Sequence, residues 1–342
     1  MERNLAAILE SSWLAIPAAV AAIMAYLTVN AMMLIWLERK LSARIQRRLG
    51  PTEHGPFGLL QSVADMGKLI SKELLTPEGV NRPLYLAAPV LVFMPVVALC
   101  SLFPLSSEWV FHDFDAALVL LLAISSINIV GIFIAGWGSN NKYALLGAVR
   151  SVAQNISYEI PLILSVIPIV LMTGSLSLYD IAAAQTSYPF LLVQPVAAVI
   201  FIIAATAETN RAPFDIPEAE SELVAGFHTE YSGMRFALFF FAEYSNMIIV
   251  CALATVLFLG GWRGPFLPGF VWFFMKVYAL IILMMWFRWT FPRLRFDQLM
   301  SFAGIVNFGL LFQIKLSMTS RVCSDTGEVL PISPVTCDIE IE

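Results

Sequence analysis

The sequence predicts an all-α integral membrane protein, and three observations support this fold class. Hydrophobic residues make up 59% of the 342 residues and charged residues only 13%, against roughly 25% charged residues in soluble domains. Eight apolar stretches recur along the chain, most of them near the ~20 residues that cross a bilayer core as a helix. They lack the two-residue alternation of a membrane β-barrel, and a helix satisfies its own backbone groups in lipid.

The eight predicted transmembrane helices form a single polytopic domain over residues 1–320, followed by a polar C-terminal tail over 321–342. The spans lie near residues 13–37, 84–104, 116–136, 152–173, 191–207, 236–260, 270–287 and 298–316. Prolines inside the second and fourth spans predict that several of the helices are kinked, because proline removes a helical hydrogen bond. Eight such stretches are too many for the core of a soluble protein to bury, which excludes that alternative.

The basic residues predict how the chain crosses the membrane. The odd-numbered loops carry 15 of the 20 Lys and Arg residues. Because basic loops stay on the cytoplasmic side, we expect the odd loops in the cytoplasm and the N-terminus outside. The first span is too long for the core of a cleavable signal peptide, so we expect it to remain in the protein.

The first cytoplasmic loop contains an amphipathic segment over residues 57–75. Its apolar residues recur at steps of three and four, as on one face of a helix: Leu59, Val63, Met66, Ile70 and Leu74. Lys68 and Lys72 fall on the other side. This pattern predicts an interfacial helix that lies along the membrane surface, and an ordinary surface helix is the alternative.

The fifth loop is rich in acidic residues. Six carboxylates fall within residues 208–230: Glu208, Asp215, Glu218, Glu220, Glu222 and Glu230. A solvated acidic loop is the alternative, but the segment also holds apolar residues such as Phe214 and Phe227, so we expect it to fold against another surface. Clustered, partly buried carboxylates repel one another, which raises their pKa toward neutral pH. The loop is therefore a candidate proton relay.

Two further acids extend this set. Glu243 lies about two turns inside the sixth span, where an ionisable residue is a functional candidate by default; a structural, hydrogen-bonded acid is the alternative. Glu159 lies near the cytoplasmic start of the fourth span. In the predicted topology Glu159, Glu208 and Glu243 share one half of the membrane, so they can form an acidic path.

The remaining signals concern cations and cofactors. The basic cluster from Arg39 to Arg48 is a lipid-headgroup patch, or some of its arginines anchor a soluble partner or pair with the acids of the fifth loop. Its place at a span argues against nucleic-acid binding. The four cysteines are scattered, without metal-ligand spacing, and no dinucleotide or phosphate-binding fingerprint is present. We therefore expect this chain to bind no metal, flavin or iron–sulfur cluster.

Several long motifs together resemble one family, the quinone-channel membrane subunit of respiratory complex I. They occur in order between residues 36 and 300: Trp36–Lys40, Arg48–Pro51, Gly55–Asp65, Gly136–Tyr143, Leu145–Arg150, Ser157–Glu159, Glu208–Asp215, Glu218–Val224 and Thr229–Tyr231. The resemblance implies a non-autonomous subunit of proton-translocating NADH:quinone oxidoreductase, with ubiquinone or menaquinone as substrate. One departure stands out, since Asn128 lies in a stretch of the third span where some relatives carry an acid or a tyrosine.

The resemblance also implies site residues and partners. The quinone chamber would involve Arg39, Arg48, Asp65, Lys68, Phe214, Asp215 and Phe227. The proton path would involve Glu159, Glu208, Glu218, Glu220, Glu222, Glu230 and Glu243. Expected partners are peripheral-arm iron–sulfur and quinone-site subunits, small membrane subunits, antiporter-like subunits and membrane lipid, but no nucleic acid.

The location and the electron donor leave alternatives. The resemblance favours a bacterial inner (plasma) membrane over the mitochondrial inner membrane. A homologous subunit of an energy-converting hydrogenase or of another donor:quinone oxidoreductase is one alternative function. A stand-alone secondary transporter is the other, although we find no internal repeat of the kind such transporters use.

Overall fold

A computed structural model of the chain describes residues 15–106, 110, 114–186, 188–217, 223–304 and 306. These residues form helices and connecting turns and contain no β-strand. The helices are α1 Ala15–Ile45, α2 Leu60–Ser71, α3 Arg82–Cys100, α4 Ala117–Gly138, α5 Lys142–Thr173, α6 Leu178–Ala184, α7 Phe190–Val193, α8 Pro195–Glu208, α9 Gly233–Phe258 and α10 Gly269–Thr290. Short 3-10 turns lie at Pro56–Gly58 and Gly226–His228. The predicted all-α fold is confirmed.

Six of these helices are long and apolar enough to cross a membrane, namely α1, α3, α4, α5, α9 and α10. The protein is therefore a multi-pass membrane protein. The fifth predicted span is divided between α7 and α8, and α8 alone has 14 residues, which rise only about 21 Å. Residues 296–304 are helical, but most of the eighth predicted span and the whole tail lie outside the described residues. The count of eight spans stays a prediction.

Helix α9 forms the centre of the bundle. Its most apolar stretch is 67% buried, against 22–44% for the other five long helices. It packs against α1, α2, α3, α8 and α10. A carboxylate on α9, such as Glu243, is therefore surrounded by protein on most sides.

The amphipathic helix of the first loop is present as α2, which packs on α1 and α9. Ser62, Asp65, Met66 and Leu69 face these helices. Most of the predicted apolar stripe faces the other way, since Val63 is 54% and Ile70 63% exposed. Lys68 and Lys72 are exposed as well. An apolar outer face of this kind is what a helix lying in the membrane interface presents to lipid.

The end of the fifth loop packs tightly on the bundle. Gly147 on α5 approaches Gly226 so closely that a Cβ on Gly147 would lie 2.7 Å from the Gly226 Cα. The ring of Tyr231 stacks on that of Tyr85 with 4.3 Å between centroids, and the Tyr85 hydroxyl donates to the Glu230 carbonyl at 2.8 Å. The described parts of the loop are therefore folded against α3 and α5.

Candidate functional site

A cavity of about 490 Å³ opens between α1, α2, α9 and α10. Half of its lining residues are apolar: Met32, Ile35, Met66, Leu69, Phe236, Ala237, Phe240, Phe241 and Trp289. Its remaining lining is polar and mostly charged: Glu38, Arg39, Ser42, Ser62, Asp65, Arg211, Glu243, Tyr244 and Arg288. A concave site that combines apolar walls with directed polar groups can hold a small molecule.

A buried charged cluster lies at one side of this cavity, built from four separate chain segments. Arg211, from the fifth loop, contacts the Glu38 carboxylate of α1 at 3.3 Å and the Glu243 carboxylate of α9 at 2.9 Å. Arg288, from the end of α10, forms an ion pair with the other oxygen of Glu38. The Tyr244 hydroxyl also donates to Glu38, at 2.7 Å. Two acids and two arginines thus balance their charges.

Arg211 is the centre of this cluster. Its side chain is only 8% exposed, and its guanidinium lies 4.3 Å from the centre of the Tyr244 ring, within cation–π range. Burial opposes the charged form, but the nearby Glu243, Tyr244 and Glu38 hold the pKa of Arg211 well above its usual value. The guanidinium therefore remains positive and serves both carboxylates.

A second ion pair joins α1 to α2 on the cavity wall. Arg39 donates to the Asp65 carboxylate at 2.5 Å, and Gln61 donates to the same side chain at 3.0 Å. Partial burial opposes ionisation, but the Arg39 hydrogen bond and charge hold the pKa of Asp65 below its usual value. Because both side chains are partly exposed, this pair can rearrange more easily than the buried cluster.

Two small cavities of about 30 Å³ each continue from Glu243 into the bundle. The first is lined by Glu243 and Glu208, and the second by Glu208 and Asn155. Asn128, Glu208, Thr209 and Asn246 line both of them. Glu243 also lines the large cavity, so a continuous series of polar side chains leads from the large cavity to Glu208.

Glu159 lies at the far end of this series. The Ser126 hydroxyl of α4 donates a hydrogen bond to the Glu159 carboxylate, and Glu159 is close enough to Glu208 for their charges to repel. Among the described residues, Glu208 has no cationic partner. The order of the acids is therefore Glu243, Glu208 and Glu159, with Asn128 beside the step between the first two.

His228 borders the first small cavity but is unsuited to proton transfer. It is packed among the rings of Phe227, Phe236 and Phe240. Burial lowers the pKa of His228 to about 4, so the imidazole is neutral near pH 7. Within the described part of the chain, carboxylates are thus the groups that can exchange protons along this series.

The structure brings some predicted residues to these cavities and places others apart. Arg39 and Asp65 line the large cavity, Phe227 lines the first small one, and Glu159, Glu208 and Glu243 follow the order given above. Asp215 does not line these cavities, but it is close enough to Glu243 for their charges to repel, and its carbonyl accepts from Arg293. The others lie elsewhere: Arg48 lines a separate surface groove, Lys68 is exposed on α2, Phe214 packs on Tyr158, and Glu230 accepts from Asn141. Glu218, Glu220 and Glu222 lie outside the described residues.

Sequence reasoning missed Glu38, Arg211, Tyr244 and Arg288 as site residues. Glu38 directly precedes the basic cluster that starts at Arg39, and the interpretation of that cluster as basic left this single acid without a role. Arg211 and Arg288 served only to predict topology. A usable signal existed for Glu38, Arg211 and Arg288, because a charged residue within or just after a long apolar stretch is costly to bury unless it is paired. Tyr244 carried no such signal.

The fold and the site define a class of protein: a multi-pass helical membrane protein with a large cavity lined by apolar and charged side chains and a buried series of carboxylates. A family model described as NADH dehydrogenase matches residues 18–317 of the chain. Within the described residues, no group of three or more His, Cys, Asp or Glu side chains is placed to hold a metal ion.

The chain belongs to the NADH dehydrogenase family. It is 46% identical over 297 residues to a protein of Dehalococcoides mccartyi, covering 87% of this chain and 82% of that one. It is 49% identical to a protein of Carboxydothermus hydrogenoformans, covering 83% of each chain, and 50% identical over 273 residues to one of Bacillus cytotoxicus, covering 78% of this chain and 82% of that one. All three relatives are named as the same subunit of NADH-quinone oxidoreductase. The predicted resemblance is confirmed.

Proposed function

We propose that this chain is the membrane subunit of a proton-translocating NADH:quinone oxidoreductase that forms part of the quinone chamber and couples quinone reduction to proton movement. The observation that carries the proposal is the shared position of Glu243, which lines both the 490 Å³ cavity and the small cavity that leads to Glu208. Events in the large cavity can thereby change the charge of an acid that belongs to the buried series.

The large cavity suits a quinone in size and chemistry. Its volume falls within the roughly 300–1,000 Å³ of small-molecule pockets. Apolar side chains such as Ile35, Leu69 and Phe240 fit a ring and an isoprenoid tail. Arg39, Tyr244 and Arg288 supply donors on the same wall, and a quinone carbonyl needs a donor. The exposed apolar face of α2 supports an entrance from the lipid side.

The charged cluster offers a way to transmit a charge change. Arg211 is shared between Glu38 and Glu243, so a new negative charge in the cavity competes with Glu243 for the same guanidinium. A weakened Arg211–Glu243 pair leaves Glu243 buried with less compensation, and proton uptake then relieves the cost. Glu243 would then have two states, one charged and paired with Arg211 and one protonated. Two such states, biased by a charge in the cavity, are what coupling of quinone reduction to proton movement requires.

The chain would act only within an assembled complex. We propose peripheral-arm iron–sulfur and quinone-site subunits as the electron source, small membrane subunits as neighbours, antiporter-like subunits as the receivers of the charge change, and a bacterial inner membrane with the N-terminus outside as the location. The names of the relatives favour NADH as the donor over the hydrogenase alternative. A stand-alone transporter would be active alone in liposomes, whereas we expect the isolated chain to be inactive.

A matched pair of substitutions on α2 tests the chamber. Leu69 lines the cavity, and its neighbour Ile70 faces outward. We expect Leu69→Trp to raise the KM for added quinone roughly tenfold, which corresponds to about 1.4 kcal/mol of lost binding, while Ile70→Trp leaves it unchanged. NADH oxidation by ferricyanide, which bypasses the membrane part, should stay normal in both. Equal quinone kinetics in the two variants would show that quinone does not bind in this cavity during the reaction.

A further inference from the structure

We propose that a surface groove between the end of α1 and the loop that follows it binds an anionic phospholipid of the membrane, with the lipid phosphate on its cations and an acyl chain along its apolar wall. The groove has a volume of about 400 Å³ and contains three cations, Lys40, Arg44 and Arg48. It shares no lining residue with the large cavity, so this site stands independently of the proposed function.

The cations of the groove have no acidic partner among the described residues. No carboxylate lines the groove, and the ion pairs of the described residues do not include Lys40, Arg44 or Arg48. The Lys40 ammonium donates to the Leu49 carbonyl at 3.5 Å, and both arginines are exposed. The neighbouring Arg39, in contrast, is paired with an acid. Lys and Arg side chains bind phosphate through charge-assisted hydrogen bonds, so three uncompensated cations in one groove favour a phosphate group.

Most of the remaining lining is apolar. Trp36, Leu37 and Leu41 contribute from α1, and Leu49 and Phe57 contribute from the loop. Leu49 is 84% and Phe57 77% exposed, so the loop presents apolar side chains at the same place where it presents cations. A soluble anion such as phosphate makes no use of apolar walls, whereas a phospholipid joins a phosphate to acyl chains. The combination therefore favours a lipid over a soluble anion.

The groove lies at the end of the membrane-crossing part of α1. The apolar stretch of this helix ends at Leu37, and an indole such as that of Trp36 is typical of the membrane–water interface. Arg44 lies about two turns further along α1, roughly 10 Å at the rise of an α-helix. The two headgroup layers together add about 10–15 Å to the ~30 Å core. Because long basic side chains can bend toward the interface, Lys40 and Arg44 can reach the lipid phosphates.

The loop that closes the groove is held in a fixed shape. The Trp36 indole N–H donates to the Phe57 carbonyl at 3.1 Å, and the Arg48 backbone N–H donates to the Ala43 carbonyl at 2.7 Å. Gly50, which has a positive φ of 67°, lies so close to α1 that a Cβ would be 3.0 Å from the Ala43 Cβ. The groove is therefore preformed, which lowers the entropy lost on binding.

A photoreactive phosphatidylglycerol tests the site in the assembled complex, reconstituted in nanodiscs of phosphatidylcholine. We expect labelling between residues 36 and 57, suppressed by excess unlabelled phosphatidylglycerol but not by inorganic phosphate, and little labelling by a photoreactive phosphatidylcholine. Suppression by phosphate would indicate a site for a soluble anion, and equal labelling by the two lipids would show no selection for negative charge. A groove that takes no label would indicate that another subunit covers it. Each of these three results would overturn the proposal.

Paired substitutions distinguish a built site from general attraction to basic residues. Arg44→Gln combined with Arg48→Gln should weaken phosphatidylglycerol binding roughly 30-fold, which corresponds to about 2 kcal/mol, because each basic residue near an anionic surface adds to the attraction. Lys68→Gln combined with Lys72→Gln removes the same charge from exposed positions of the first loop and should leave binding unchanged. Equal losses in the two pairs would overturn the site.

A charge-conserving pair serves as the second variant, because the loss of both arginines can impair assembly. Arg44→Lys combined with Arg48→Lys keeps both positive charges and should retain labelling by phosphatidylglycerol within a few-fold of the unsubstituted complex. A loss in this pair as large as that in the Gln pair would show that the charge of these residues does not hold the lipid. The labelling and competition experiment needs no substitution and therefore tests the site even where a variant fails to assemble.

Discussion

The large cavity and the two small cavities share Glu243, yet they are built from different chemistry. Around the large cavity, Glu38 and Glu243 are held by Arg211 and Arg288, so both of these buried acids have a cationic partner. Around the small cavities, Glu208 lies among neutral amides, a hydroxyl and the imidazole of His228, Glu159 repels its charge, and no Lys or Arg of the described residues lines either cavity. Paired charges are suited to holding a substrate in place, whereas an unpaired carboxylate is suited to gaining and losing a proton, because its charged form is costly to bury.

The largest effect is expected from Arg211→Leu, which breaks the paired region. The substitution leaves Glu38 with one cation and Glu243 with none, and removing one partner of a buried pair typically costs about 3–5 kcal/mol. We expect poor assembly and a clearly lower melting temperature of the complex. Arg211→Lys should recover part of the stability but not the simultaneous contact to both acids. A melting temperature unchanged in Arg211→Leu would show that the cluster is not a buried, mutually dependent unit.

The next largest effects are expected from the same substitution, Glu to Gln, in the paired region at Glu243 and in the unpaired region at Glu208. Glu243→Gln leaves the positive Arg211 short of a partner, whereas Glu208→Gln removes no ion pair. Both variants should lose proton pumping roughly tenfold or more, since each removes a group that carries a proton. Only Glu243→Gln should also lower the thermal stability of the complex. Equal stability losses at the two positions would remove the distinction between a paired and an unpaired region.

A smaller effect is expected from the exposed ion pair of the cavity wall. The side chains of Arg39 and Asp65 are 47% and 30% exposed, and such pairs contribute about 0–1 kcal/mol. Asp65→Asn should therefore leave stability nearly unchanged. It should raise the KM for quinone, because the substitution removes the ion pair that holds α2 against α1 at the cavity. Lys68→Gln, on the exposed side of the same helix, is the control and should leave the KM alone.

The smallest effect concerns pH and His228. Burial lowers the pKa of His228 from 6.5 to about 4, so an unfolded fifth loop binds this proton more readily than the folded one. The stability of the loop should be full above pH 6.5 and should fall between about pH 6.5 and 4. His228→Leu should reduce this slope, measured by hydrogen exchange of residues 223–233, and His54→Leu in the first loop should not. An identical slope in both variants would contradict the burial of His228.

Much of the fold was predictable because it follows from local pattern. Long apolar stretches predicted the six long helices, and three- and four-residue spacing predicted α2 before its position was known. The fifth span was harder, because Pro195 follows Gln194 at a break that hydropathy alone does not reveal. The direction of the α2 stripe also needed the structure, since Leu69 lines the cavity whereas its equally apolar neighbour Ile70 is exposed on the outer face.

The site was predictable only in part, because pairing is a property of the packed bundle. Glu243 and Glu208 stand out in sequence as acids beside apolar helices. The charged cluster around Glu243 comes from four segments, and nothing local indicates that Arg211 reaches α1 and α9 at once. Asn128 was visible only as an unusual residue in the third span, and its place between two acids required their positions in space.

A photoreactive quinone tests the central claim most directly. Irradiated with the assembled complex, it should label residues of α1, α2 and α9 that line the large cavity, among them Met66 and Phe240, and excess unlabelled quinone should suppress the labelling. Labelling confined to other surfaces of the chain, or labelling of the cavity that competing quinone does not reduce, would contradict the assignment of this cavity as the quinone chamber.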